Sequence, residues 1–274
     1  MINPRKNVIV KKSLKIFYDF YRNLIGTENN RAIFLNSIPK SGTHLAHQLL
    51  IKLNFNDRYG FFASTPSRSM KIQESYKAKK YFRNQLKNEL ISGHLFYSKE
   101  MEYFFEELSI PTVFIYRDPR AVFLSELNYL SNMNRWHRCH KYYASCKSFN
   151  ERFNLCLKGL PELGFYYPKF YDRVNDYVGW VNSKVVYSIR FENLISEKSR
   201  LKEITNLLRY LNSFYENTVN EDLNIEDIKD FVSPEDSHTF SGLNPDRWKT
   251  TLNSSQIYKL ESHLGSLTKK LGYI

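Results

Sequence analysis

Three short apolar runs in this 274-residue chain each end in a polar turn and lead into a stretch of helical spacing, and that repeated order is the strongest constraint on its fold. The first run, residues 32–38 (AIFLNSI), stops at Pro39 and is followed by SGTHLAHQLLIKL, whose apolar residues recur at helical intervals. The second, 111–116 (PTVFIY), passes through RDPR into a helix-compatible stretch over 121–130. The third, 184–189 (KVVYSI), precedes RFENLIS and a predicted helix over 199–211. Strand, loop and helix in that order predict βαβ units, hence an α/β protein whose parallel sheet presents loops at the carboxyl ends of its strands for ligand binding.

One domain over 31–274 is expected, preceded by a basic amphipathic helix within 1–30. There Leu14, Phe17, Tyr21 and Leu24 share one side and Lys11, Lys12, Lys15 and Arg22 the polar positions. That helix either docks on the domain or makes peripheral contact with anionic lipid. No run approaches the roughly 18 apolar residues of a membrane-spanning helix, and the N-terminus lacks the apolar centre of a secretory signal. The expectation is a soluble protein of the cytoplasmic side. A net charge of +12 draws polyanions, be they nucleotides, nucleic acid, anionic glycans or lipid headgroups, without choosing among them. Cys139, Cys146 and Cys156 are too few and too irregularly spaced for a zinc site or a disulfide framework, and are read as reduced thiols.

Pro39-Lys40-Ser41-Gly42-Thr43 lies where the first strand hands over to a helix, a junction that offers unpaired backbone N–H groups and the positive end of the helix dipole to an anion. Gly42 lets backbone approach a phosphate, Ser41 and Thr43 supply hydroxyl donors, and Lys40 can neutralise charge on a leaving oxygen. The Walker pattern GxxxxGK[ST] is absent, because Lys precedes the Gly and no upstream Gly opens the loop; this disfavours ATP or GTP hydrolysis.

This loop resembles that of the sulfotransferases dependent on 3′-phosphoadenosine 5′-phosphosulfate (PAPS), whose 5′-phosphosulfate loop commonly reads PKSGTTW; here it reads PKSGTHL, with His44 and Leu45 departing from the pattern. Two further segments fall in the family's order. Tyr116-Arg117-Asp118-Pro119-Arg120, with Ser125 eight residues after Arg117, is similar to the segment that holds the 3′-phosphate. Ser92-Gly93-His94-Leu95 is similar to the Lys-Thr-His-Leu segment that carries the catalytic base, with Ser92 replacing the Lys. Phe191, in YSIRFENL, stands where the family packs an aromatic ring on adenine, and Ser241-Gly242 with Asp246-Arg247-Trp248-Lys249 partly matches a loop over the 3′-phosphate, without its basic pair.

The resemblance implies a P-loop-like, three-layer α/β fold with a central parallel sheet. It implies PAPS as donor and its desulfated product PAP, with no metal. Lys40, Ser41, Gly42, Thr43 and His44 would lie at the 5′-phosphosulfate, Arg117, Ser125 and Gly242 at the 3′-phosphate, Phe191 at the adenine, and His94 would be the base, with Lys40 also catalytic. His44, Glu89 and Glu100 are the alternatives for the base, since some relatives use Glu. The acceptor is a hydroxyl or amine, with a saccharide or glycolipid slightly favoured; specificity is expected in 64–88 and 134–169. The dimer motif of cytosolic relatives is not reproduced, so no oligomeric state is read. A basic nucleic-acid-binding protein and a catalytically silent nucleotide-binding relative are the rival readings, and against the first, Lys40 and Arg117 at strand ends favour a closed pocket over an open stacking groove.

Overall fold

The computed structural model describes residues 32–83, 85–86, 88–215 and 244–274, with isolated positions 13, 16 and 17. Those three are helical, and Ile16 and Phe17 are exposed; the rest of the expected N-terminal helix, and Gly242 with it, lies outside the described residues.

The chain runs β1 (Ile33–Ser37), α1 (Thr43–Lys52), β2 (Asn56–Ala63), α2 (Ser75–Arg83), β3 (Glu89–His94), α3 (Lys99–Glu107), β4 (Thr112–Tyr116) and α4 (Pro119–Asn128). A π-helical turn at Tyr129–Met133 follows, then α5 (His140–Ala144), α6 (Phe149–Lys158) and α7 (Phe170–Val178). The described chain closes with β5 (Val186–Arg190), α8 (Phe191–Ile195), α9 (Glu197–Asn212), α10 (Arg247–Thr251) and α11 (Ser254–Lys270). The five strands form one parallel sheet in the order β2-β3-β1-β4-β5. β1 is therefore central, and the connections reverse direction around it, which opens a crevice outside its carboxyl end.

Strands β1 and β4 are buried on both faces, which is why they read as continuous apolar runs. Ile33, Leu35, Val113 and Ile115 pack under α1 and α9 through Leu49, Ile204 and Leu207. Phe34 and Phe114 point the other way into an aromatic core with Phe82, Phe105 and Phe123. Phe34 meets Phe82 edge-on at 4.5 Å, and Phe82 meets Phe105 at 5.0 Å, the arrangement that ring quadrupoles favour. Two helical layers thus enclose the sheet, the expected three-layer P-loop-like architecture.

One buried polar residue fixes the mouth of the crevice. Asn36, fully buried on β1, donates to the Leu95 carbonyl at 3.0 Å and accepts from the Leu95 N–H at 2.8 Å. Trp180 Nε1 donates to the same carbonyl at 2.9 Å. The backbone just beyond β3 is therefore held from two sides, and with it the residue before, His94.

Several elements depart from the sequence reading. α4 begins at Pro119 rather than 121, because the Asp118 side chain caps it by accepting from the Arg120 N–H at 2.9 Å, with Pro119 in the first turn. Residues 134–169, where specificity but no element is expected from sequence, contain α5 and α6, which bury Tyr143, Phe153, Cys156 and Leu157.

Candidate functional site

The carboxyl ends of β1, β3, β4 and β5 gather the expected site residues on one side of the sheet. The loop after β1 turns back on itself through two left-handed residues, Lys40 (φ 70°) and Gly42 (φ 97°). A lysine held in that region costs on the order of 1 kcal/mol, a strain that persists where the surrounding structure fixes it. Gly42 is the N-cap of α1 and offers no side-chain cap, so the first-turn amides and the helix dipole face the crevice. A Cβ at Gly42 would overlap the edge of the Phe191 ring, so only glycine fits beneath that ring. Ser41 is buried, and its Oγ has no hydrogen-bond partner among the described residues. Leu45, where the family pattern has Trp, is buried in the core on the α1 face, whereas His44 is exposed on the first turn.

Lys40 Nζ stands 3.9 Å from the centroid of the Tyr129 ring, a cation held over a π face by the turn that follows α4. Burial pushes its pKa down to about 8; Glu126 partly opposes this and Arg117 adds to it. At neutral pH the ammonium remains charged.

His94 ends β3 beside this loop. Its Nδ1 lies 2.9 Å from the Ser37 carbonyl oxygen and 2.9 Å from Ser37 Oγ, which in turn lies 2.7 Å from Thr43 Oγ1. A carbonyl oxygen can only accept, so the proton sits on Nδ1 and Nε2 carries the lone pair. Burial lowers the imidazole pKa to about 4; the Ser37 contact opposes the shift, while His44 and Lys40 reinforce it. His94 is therefore neutral at pH 7, with its basic nitrogen pointing away from the Ser37 contact.

Phe61, missed by the sequence reading, meets the His94 ring edge-on at 4.7 Å and is half exposed. A register shift in the pairing of β2 with β3 lies just before it, between Asp57 and Phe61; bulges of this kind re-aim side chains near functional sites.

Arg117 leaves β4 and is 8% exposed. Its guanidinium carbon lies 4.3 Å from the Phe191 ring centroid, and its Nε has no hydrogen-bond partner among the described residues. The neighbouring Asp118 does not neutralise it by pairing. Asp118 binds Arg120 instead, at 2.7 Å, and Arg120 reaches Glu261 at 3.1 Å. Burial lowers the pKa of Arg117, with Glu192, Tyr273 and Asp118 opposing. Phe191 itself is 5% exposed, its ring shared between Gly42 and Arg117. Ser125 lines the same cavity as Arg117.

A buried hydroxyl and a buried guanidinium Nε, both without a hydrogen-bond partner among the described residues, thus stand on adjacent strand ends beside an uncapped helix terminus, donors suited to an anionic ligand. The sulfotransferase domain family matches the chain over residues 30–272. The chain belongs to that family. The sulfotransferase has the fold of mouse sulfotransferase SULT7A1 complexed with PAP, at 19% identity and a TM-score of 0.58, over 88% of this chain and 84% of that one. It is similar also to retinol dehydratase in complex with androsterone and inactive cofactor PAP, at 12% identity and 0.54, over 92% and 85%. At these identities the likeness shows the fold. No curated protein matches the sulfotransferase by sequence.

The alternative carboxylates lie elsewhere in this enzyme. Glu89 is buried at the opposite end of β3, where it accepts from the Leu86 N–H at 3.2 Å and approaches Arg58 at 3.8 Å. Glu100 is on α3 and pairs with Lys79 at 2.8 Å. Ser92 bonds His47 of α1 at 3.0 Å rather than facing the loop. Burial raises the Cys139 and Cys156 thiols to about 12. Among the described residues no cluster of His, Cys, Asp or Glu is placed to hold a metal ion, and no helix is long and apolar enough to cross a membrane.

Proposed function

We propose that this sulfotransferase takes the sulfuryl group from PAPS and passes it to an acceptor hydroxyl or amine, releasing PAP, and that the acceptor is a saccharide or glycolipid. The observation that carries the donor assignment is the pair of buried, unpartnered polar groups, Ser41 Oγ and Arg117 Nε, which would be costly to leave unsatisfied and match the oxygens of a 5′-phosphosulfate and a 3′-phosphate. In this reading Lys40, Ser41, Gly42, Thr43 and His44 surround the 5′ group, and Arg117 with Ser125 holds the 3′-phosphate. Phe191 backs both and offers what ring surface remains to the adenine. PAPS supplies an activated sulfuryl group on a good leaving phosphate.

The chain's own part is alignment, charge and one proton. His94 Nε2 takes the acceptor proton as the oxygen or nitrogen attacks, and Ser37 steadies the imidazolium through Nδ1. Lys40 and the first-turn amides of α1 stabilise negative charge on the departing phosphate. The half-exposed Phe61 beside His94 gives the acceptor an apolar face to rest on, suited to the C–H face of a sugar ring, and the net positive charge favours an anionic glycan or a glycolipid among anionic lipids.

Transfer of radiolabelled sulfuryl from PAPS to a panel of saccharides, glycolipids, phenols and sterols tests this reading. Label on a saccharide or glycolipid is expected. Label confined to phenols or sterols overturns the acceptor, and label on none counts against catalysis. With the productive acceptor, kcat/KM should be bell-shaped in pH. It should hold down to about pH 5 and fall toward 4, as His94 gains a proton, and fall again above about 8, as Lys40 loses one. An acid limb at the ordinary histidine value near 6.5 would contradict the assignment of His94.

A further inference from the structure

The cavity beside Arg117 is walled by more than the two residues assigned to the 3′-phosphate. Arg117, Ser125, Ser131, Arg152, Arg247 and Trp248 all line it. Three of these are arginines, and no carboxylate is among the described lining residues. Four polar atoms of the wall are buried with no hydrogen-bond partner among the described residues: Arg117 Nε, Ser131 Oγ, Arg152 Nε and Trp248 Nε1. Buried donors are paired in the great majority of folded proteins, so four orphans around one cavity mark a ligand rich in acceptor oxygens and carrying negative charge.

Arg152 comes from an unexpected quarter. It lies on α6, inside the 134–169 segment read from sequence as shaping the acceptor site. Its Nη2 donates to the Cys146 carbonyl at 3.3 Å, which anchors one side of the guanidinium and leaves Nε for another partner. α6 packs on α4 through Phe153 against Phe123, rings 5.0 Å apart, and Arg152 of α6 lines the same cavity as Ser125 of α4. Ser131 belongs to the π-helical turn after α4, a local widening of the helix that is found disproportionately at functional sites. Trp248 is fixed by Arg120, whose guanidinium lies 4.5 Å from its ring centroid.

We propose that Arg152, with Ser131 and the Trp248 indole N–H, completes the 3′-phosphate site of this chain, adding beside Arg247 a positive charge where Phe240 and Ser241 stand in place of a basic pair. The proposal rests on the PAPS reading. It moves part of the 134–169 segment from acceptor recognition to donor recognition: Arg152 discriminates a 3′,5′-bisphosphate from a 5′-monophosphate and does not touch the transferring group.

Calorimetric titration of the full chain and its Arg152→Gln variant with PAP and with 5′-AMP tests it. The variant should bind PAP about 10- to 100-fold more weakly, as expected for loss of a charge-assisted fork, with 5′-AMP affinity unchanged within about twofold. Arg152→Lys should recover part of the loss, and Ser131→Ala, which leaves α6 intact, should weaken PAP alone by a smaller factor. Unchanged PAP affinity in Arg152→Gln overturns the proposal, as does an equal loss for both nucleotides, which would mean that the residue only supports the fold. Failure of the wild-type chain to prefer PAP over 5′-AMP is a separate outcome: it removes the donor reading itself.

Discussion

His94→Ala is expected to lower kcat by about 10²–10⁴-fold, the usual contribution of a positioned general base, while PAP affinity stays within about twofold of wild type. The asymmetry follows from where the side chain sits. His94 closes β3, fixed through Nδ1 by Ser37 and through its neighbour Leu95 by Asn36, whereas the orphaned donors assigned to the nucleotide are on Ser41 and Arg117. Alanine removes the proton acceptor and leaves those donors in place. His94→Gln separates shape from chemistry, since it fills space without a titrating nitrogen; it should be as slow as alanine. Single-turnover measurement of the transfer step with a productive acceptor reads the effect directly. A variant with wild-type kcat would move the base elsewhere.

Lys40→Ala is expected to act on both parameters, lowering kcat by about 10²–10³-fold, the scale of removing a donor to developing charge, and weakening PAP by about tenfold. Lys40 is held in a left-handed conformation at the tip of the loop, with its ammonium over the Tyr129 ring, so in the proposed reading its charge is fixed before any ligand arrives. The remaining loop donors, Ser41 Oγ and the amides of the first turn of α1, still hold the phosphate in the variant. Lys40→Arg keeps the charge but carries a wider, planar head, and is expected to recover affinity more than rate. If kcat fell with PAP affinity and fold both untouched, Lys40 would contribute only in the transition state; if neither changed, the loop assignment would be wrong.

The parts of this protein that the sequence revealed are those where one strong physical demand acts on a short stretch. β1 and β4 must be apolar on both faces, and PKSGT must turn sharply between strand and helix, so both are readable residue by residue. β2 was hidden because it is an edge strand, NDRYGFFA, with a polar start and a register shift, and Phe61, which meets His94, follows that irregularity rather than any motif. α6 carried a helical signal that was overlooked: Phe149, Phe153, Cys156 and Leu157 recur at helical spacing, and Ser148 caps the helix by accepting from the Glu151 N–H. Arg152 could not be assigned from sequence, because the α4 and α10 residues that line its cavity come from distant parts of the chain and meet it only in the fold. The family pattern also did not foretell that Phe191 would carry the Arg117 guanidinium on its ring; a sequence shows an aromatic residue, not which neighbour takes its face.

The central claim is that the loop after β1 and the end of β4 together hold a 3′,5′-bisphosphorylated adenosine. Calorimetric titration of the full chain with PAP beside ADP and AMP, in metal-free buffer at two salt concentrations, tests it most directly. The account predicts stoichiometric binding of PAP, at least tenfold tighter than ADP or AMP and weakening as salt rises. Equal affinity for all three nucleotides, or binding of none, would contradict it.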